Sequence, residues 1–534
     1  MRRSLMLKTA LSLMKYGVAA IILIAFKLLL VSPVQAQTVG PNSTLLPTLG
    51  DGGEMSSSAE RRLGDRIARE IYRDPDYLDD PVLGDYVQGI WQPLLAAARA
   101  RGDLSPELQD RFAWEIMLGR DRTVNAFALP GGYFGVHLGL LAVVGSADEL
   151  ASVLGHELSH VTQRHIARLI ARQGQQAPWL VGAMILGALA ASKSTDAANA
   201  LIVGGQAASA QGQLNFSRDM EREADRVGYG VMTEAGFDAR GFVAMFDKLQ
   251  QASRLNDNGA YPYLRSHPLT TERIADMQSR QPIAGSVTPA PTPSLEHAMM
   301  AGRARAQSNP GVDALRGFLR EADSWPVSAP PSTAARHAGV LYAGVLAAGR
   351  LRDDVAAGTH LGRLTALVSS DPVGFRLTRW LRAELSLAAG DWRSAQTQLD
   401  TRSAEDRDAV QMRRPELLLR GQVALQSGQV ALWLALTERL QLWVAERPRD
   451  AQAWQLLASA YAAQRQPLRA LRAEAEVRVA QLDLAAALDR LKAAQDLLRQ
   501  GASLNPSADH IEASIIDTRR RQLESALREQ ALER

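Results

Sequence analysis

The 534-residue sequence predicts a mainly α-helical N-terminal half built round a small β-sheet, followed by an all-α helical solenoid. Three observations carry this expectation. Ala151 to Ile170, ASVLGHELSHVTQRHIARLI, has apolar residues at helical spacing around the pattern H-E-x-x-H. Just before it, two short segments that alternate like strands flank Pro130-Gly131-Gly132. After a proline-rich stretch the composition turns to Ala, Leu and Arg without strand signals, and turn residues recur every 37 to 41 positions.

Met1 to Ala36 has the build of a secretory signal: a basic start, an apolar run from Gly17 to Val31, and small residues at Val34-Gln35-Ala36. An uncleaved anchor is the alternative. However, Lys27 interrupts the run, and a spanning helix needs about 20 apolar residues. Export, cleavage after Ala36 and a periplasmic product are expected. Residues 37–57, rich in Gly, Pro, Ser and Thr, read as a flexible lead. Helices are expected over Ser58 to Tyr72 and Asp80 to Ala100. Strands are expected over Arg111 to Met117, Asn125 to Leu129 and Tyr133 to His137.

In the helix that follows, His156 and His160 are four residues apart and so share a face. Both imidazoles can reach one ion, and Glu157 is placed to hold a water molecule and take its proton. This is the geometry of a zinc peptidase, with one Zn²⁺ per chain. Two ordinary histidines on a polar face are the bland alternative. The apolar flanks Val153, Leu154, Leu158 and Val161 argue for burial, and buried imidazoles need partners. Catalytic zinc usually takes three protein ligands. Ser217 to Gly228, SRDMEREADRVG, offers Glu221 as the third, with Asp225 four residues on to accept a hydrogen bond from a ligand imidazole or to donate a proton. A charged, solvated helix face is the competing reading of that run.

HELSH followed by EREAD resembles the M48 metallopeptidases. NAFALPGGYFGVH at 125–137, His165, and Ser266-His267-Pro268 followed by LTTER at 269–273 match as well. The likeness runs from about Leu46 to Gln281 and implies an α+β, zincin-type metallopeptidase domain over 58–281. In that family the segment before the zinc helix lies at a sheet edge, where substrate can add as a strand. The resemblance therefore makes Asn125, Ala126, Phe127, Ala128 and Leu129 candidate substrate-binding backbone; a plain structural hairpin is the other reading. His137 is expected to be structural or to shape a subsite. His267, held extended by Pro268, could be a fourth zinc ligand in a closed state, an oxyanion stabiliser, or a cap for the next helix.

Gln173 to Leu214 is rich in Gly, Ala and Ser and contains an apolar run, Trp179 to Ala191, too short to span a bilayer. A core helix, a lid, or a surface for a membrane or an unfolded client all fit; the small residues favour a lid. Residues 282–294, with four prolines, read as a linker. Beyond it, over 295–534, helix pairs turn at Gly349, Gly390, Gly428 and near Arg465. Trp454, Leu457, Ala458, Tyr461 and Ala470 follow the tetratricopeptide (TPR) pattern, with Ala458 where it has Gly. A TPR-like array presents a concave surface to a partner; a non-repetitive bundle is the alternative. Ile511 to Leu532 is expected to be a charged cap.

The chain lacks cysteine, which excludes disulfides, thiolate metal ligands, a cysteine nucleophile and lipoprotein acylation. Its formal charge of +3 comes from five basic residues within 1–36, and beyond them acids and bases interleave. No nucleic-acid partner is expected. The expected activity is zinc-dependent peptide hydrolysis. The resemblance implies clients among unfolded or misassembled outer-membrane β-barrel proteins, with the repeats docking on the β-barrel assembly machinery. A chaperone or scaffold with a latched or structural zinc site is the competing class.

Overall fold

The computed structural model describes residues 55–172, 217–254, 260–281, 294–308, 311–326, 331–401, 412–500 and 506–532. The expected signal (1–36), nearly all of the lead (37–57), the segment 173–214 and the linker up to 293 lie outside them.

The chain enters α1 (Ser57–Arg73) through a Ser56 cap, whose hydroxyl accepts from the Ala59 amide. Strand β1 (Tyr77–Leu78) leads to α2 (Pro81–Ala100), capped by Asp80 and started by Pro81 at a position that needs no N–H. The strand expected over Arg111 to Met117 is displaced. Ser105 caps a short α3 (Pro106–Arg111), and β2 (Glu115–Gly119) follows four residues later than predicted. A helix-start signal outweighed the alternation there. Strands β3 (Ala126–Leu129) and β4 (Tyr133–His137) form a hairpin whose turn glycines, Gly131 and Gly132, have φ of 72° and 78°. The sheet order is β1-β2-β4-β3, with β2 and β4 parallel and the outer pairs antiparallel.

Helix α4 (Leu138–Val143) is followed by α5 (Ala147–Thr162), which carries H-E-x-x-H and is buried from Glu149 to Thr162. Then come α6 (His165–Arg172), α7 (Arg218–Glu234), closed by Gly236 at φ 87°, α8 (Arg240–Arg254), α9 (Tyr263–Ser266) and α10 (Thr271–Ser279). Helix α5 packs on α7, α8 and β3.

The second half is helical throughout its described residues: α11 (Leu295–Gln307), α12 (Val312–Ser324), α13 (Ala334–Leu351), α14 (Asp354–Leu367), α15 (Pro372–Ala388), α16 (Trp392–Asp400), α17 (Arg414–Ser427), α18 (Val430–Glu446), α19 (Ala451–Ala463), α20 (Pro467–Ala480), α21 (Leu484–Arg499) and α22 (Pro506–Leu532). Turns fall at Gly390, Gly428 and Arg465, each left-handed. The turn expected at Gly349 is three residues late: α13 runs through it, and Arg352 takes the left-handed position at φ 58°. A single glycine in a helix costs only about 1 kcal/mol against alanine, which packing readily overrides. Trp454, Leu457, Ala458, Tyr461 and Ala470 form one buried cluster, as a TPR-like pair requires. Helix α22 buries Ile516 and Leu523 along an otherwise charged length. One hydrophobic core joins the two halves, holding Leu83, Trp91 and Leu154 together with Met299, Leu341 and Trp380. Among the described residues no helix is long and apolar enough to cross a membrane.

Candidate metal centre

The site is built where α5 crosses α7. The crossing is close because both helices place glycine there. A Cβ on Gly228 would lie 2.9 Å from the Gly155 carbonyl carbon and 2.9 Å from the His156 nitrogen. Backbone contact at this point lets one turn of α7 present Glu221 and Asp225 directly to His156 and His160. Glu221 Oε1 stands 3.4 Å from His160 Nε2, and Glu221 Oε2 3.5 Å from His156 Nε2.

His267 follows α9 and enters the same cluster. Its Nδ1 lies 3.0 Å from Glu221 Oε1 and 3.3 Å from His156 Nε2, and Tyr263 stacks on its ring. It does not cap the next helix: Thr270 does, accepting from the Arg273 amide. His156, His160, Glu221 and His267 thus place donor atoms within 4.8 Å of one another, all buried, and could hold a metal ion.

Hydrogen bonds behind the cluster fix the tautomers. His156 Nδ1 is 2.9 Å from Asp225 Oδ1, so its Nε2 turns inward. Burial pushes His165 down to about 4 despite its bond to Glu223, so His165 is neutral near pH 7. Its Nε2–H donates to Glu223, 3.0 Å away, and its Nδ1 accepts from His160 Nδ1–H at 2.9 Å. His160 Nε2 therefore also carries its lone pair inward, 3.0 Å from His156 Nε2. Two converging lone pairs beside a carboxylate are unfavourable without a cation between them, and this donor set fits Zn²⁺.

Glu157 lies beside the cluster with its carboxylate buried, Tyr263 next to it and His267 Nε2 3.4 Å away. Burial raises its pKa, with His267 and His156 opposing. Asp225 is held below the usual carboxylate range: burial would raise it, but Arg273 and His156 bind it and prevail.

The sequence profile of peptidase family M48 matches residues 94–281, the span that contains all of these groups. M48 metallopeptidases use zinc, in keeping with the donor set. A Vibrio cholerae (serotype O1) protein provisionally named beta-barrel assembly-enhancing protease is 35% identical over 237 residues, 44% of this chain and 47% of that protein. The beta-barrel assembly-enhancing protease of Yersinia pestis is 34% identical over 281 residues, 51% of this chain and 55% of its own. That of Escherichia coli K12 is 29% identical over 309 residues, 56% and 60%. The chain spans about half the length of the curated relatives it matches.

Within the matched region, β3 is an outer strand of the sheet, paired among the described residues with β4. Asn125 lies just before it. Val124 bonds both ways to the segment leading to His267, its amide to Ala260 O and its carbonyl to the Tyr263 amide. His137 lies at the end of β4, away from the metal donors, with Nδ1 2.9 Å from Thr123 Oγ1. Sequence reasoning did not single out Arg273. Its guanidinium binds Asp225 through Nε at 2.6 Å and Nη2 at 2.8 Å, Glu221 at 2.8 Å, and the Pro268 carbonyl at 2.8 Å. It ties the ligand helix to the turn after His267. Glu223 was missed as well. Its one visible signal was its place on the ligand helix, two residues past Glu221.

Proposed function

We propose that this chain is a periplasmic zinc-dependent endopeptidase acting on unfolded or misassembled envelope proteins, outer-membrane β-barrels among them. In this reading 58–281 is the peptidase region and 295–534 the TPR-like region, which docks on the β-barrel assembly machinery. The observation that carries it is the buried four-donor cluster with the buried Glu157 carboxylate beside it. The relatives' printed names support the client class.

His156, His160 and Glu221 hold the ion, and Asp225 orients His156. Bound Zn²⁺ supplies Lewis-acid activation of water and of the scissile carbonyl. Glu157 takes the attacking water's proton and passes it to the leaving amine. An extended substrate lies along Asn125 to Leu129 as an added strand. His267 occupies a fourth donor position and leaves it when substrate enters.

That same position of His267 favours a second reading, a chaperone or scaffold whose metal site stays latched. Glu157→Gln separates the two. As a protease, the chain loses about 10²–10⁴-fold in casein cleavage with zinc content unchanged, because Glu157 serves as the base and not as a ligand. As a latched chaperone, neither form cleaves casein and both suppress aggregation equally.

A further inference from the structure

A cavity of about 1030 Å³ lies where the sheet meets the repeats. It is on the β1 side of the sheet. Helix α5, with its metal donors, packs on β3 at the opposite edge. None of the four donors lines the cavity.

The floor is an unfinished sheet edge. Strand β1 ends at Leu78, opposite Leu118, while β2 continues back to Glu115. Successive residues of a strand send their peptide groups to alternate sides. The Glu115 amide bonds Gly132 O on the β4 side, and the Arg120 amide bonds Asp76 O on the β1 side. Even-numbered residues therefore face β1. Ile116 turns its N–H and C=O to an edge where β1 has already stopped, and it lines the cavity.

The walls suit a peptide backbone. Gln88 and Gln92 from α2, Gln455 from α19 and Gln481 beyond α20 line the space. A primary amide both donates and accepts, so it serves either face of a peptide group. Tyr77, Trp114 and Trp443 supply aromatic surface. Each described lining arginine already has a carboxylate: Arg414 has Asp79 and Asp450, Arg447 has Glu446, and Arg449 has Glu115 at 3.9 Å. A phosphate or similar anion would therefore have to displace an existing partner.

We propose that this cavity takes an extended segment of the polypeptide substrate. The segment hydrogen-bonds to β2 at Ile116 as an added strand, with the glutamines meeting its amides and Tyr77, Trp114 and Trp443 receiving its side chains. It is a second grip on the substrate, at the edge opposite β3. The proposal rests on the reading that the chain acts on polypeptides.

The test uses the full zinc-loaded chain carrying Glu157→Gln, so that binding is read without hydrolysis. The probe is fluorescein-labelled β-casein, followed by fluorescence anisotropy. Gln88→Trp and Gln455→Trp fill the cavity from opposite walls; each is expected to weaken casein binding tenfold or more with an unchanged melting temperature. On the chain without cavity substitutions, casein is expected to slow amide exchange over 114–118 and 443–455. Casein that fails to bind, or that binds with protection only at β3 and the zinc helix, overturns the proposal. Absence of cleavage by the chain with Glu157 intact overturns the protease reading instead.

Discussion

At the scale of single residues, the centre is a set of imidazoles whose protons are assigned from behind. Asp225 faces the Nδ1–H of His156, while His165, which donates to Glu223, accepts from the Nδ1–H of His160. Without a metal the cluster needs another positive charge, and His156 supplies it. Burial works against its protonation, but the bonds to Asp225 and Glu221 raise it to about 9. The folded value is above the unfolded one of about 6.5. The proton's stabilisation is therefore fully present below about pH 6.5 and is lost as pH rises through about 9. In the loaded chain the ion takes the proton's place. Chelated protein should lose melting temperature between pH 6.5 and 9, while zinc-loaded protein should hold it; parallel melting curves across that range would rule out the proton's role.

At the scale of elements, the α5–α7 crossing decides whether the donors meet. Gly228→Ala places a methyl carbon against backbone atoms of Gly155 and His156, which cannot move like a side-chain tip. Overpacking of this kind costs about 1–3 kcal/mol. Dialysed Gly228→Ala protein should melt lower and retain less zinc than the parent chain. Full zinc content and an unchanged melt would show that the helices separate without moving their donors. The spacing of His156 to His160 and of Glu221 to Asp225 was legible in the sequence because a helix turns four-residue spacing into a shared face. The glycine crossing was not, since nothing local marks Gly155 and Gly228 as partners. Arg273 was quoted within a motif, but its reach to Asp225 and Glu221 depends on how α10 packs. Strand β2 was misplaced because Ser105-Pro106 starts a helix whose alternating tail read as strand.

At the scale of the whole molecule, the proline-rich stretch at 282–294 marks a change of composition, but packing continues across it. Buried Arg303 of α11 sits between Asp80, the cap of α2, and Glu384 of α15. Arg414 reaches Asp79, Arg413 reaches Asp85, and Arg69 binds the Leu482 carbonyl. Arg303→Ala would leave Asp80 and Glu384 without their partner, at about 3–5 kcal/mol. A single unfolding transition at lower temperature is expected, with helix loss and zinc release coinciding. Two separated transitions would show that the halves fold independently. The shared core also bears on biosynthesis. The first half leaves the ribosome with one face of α2 uncovered, and the helices that cover it, α11 and α17, are made much later. The N-terminal half is thus completed by residues translated after it, so a partly made chain would carry the four clustered donors before it had the fold that holds them in place.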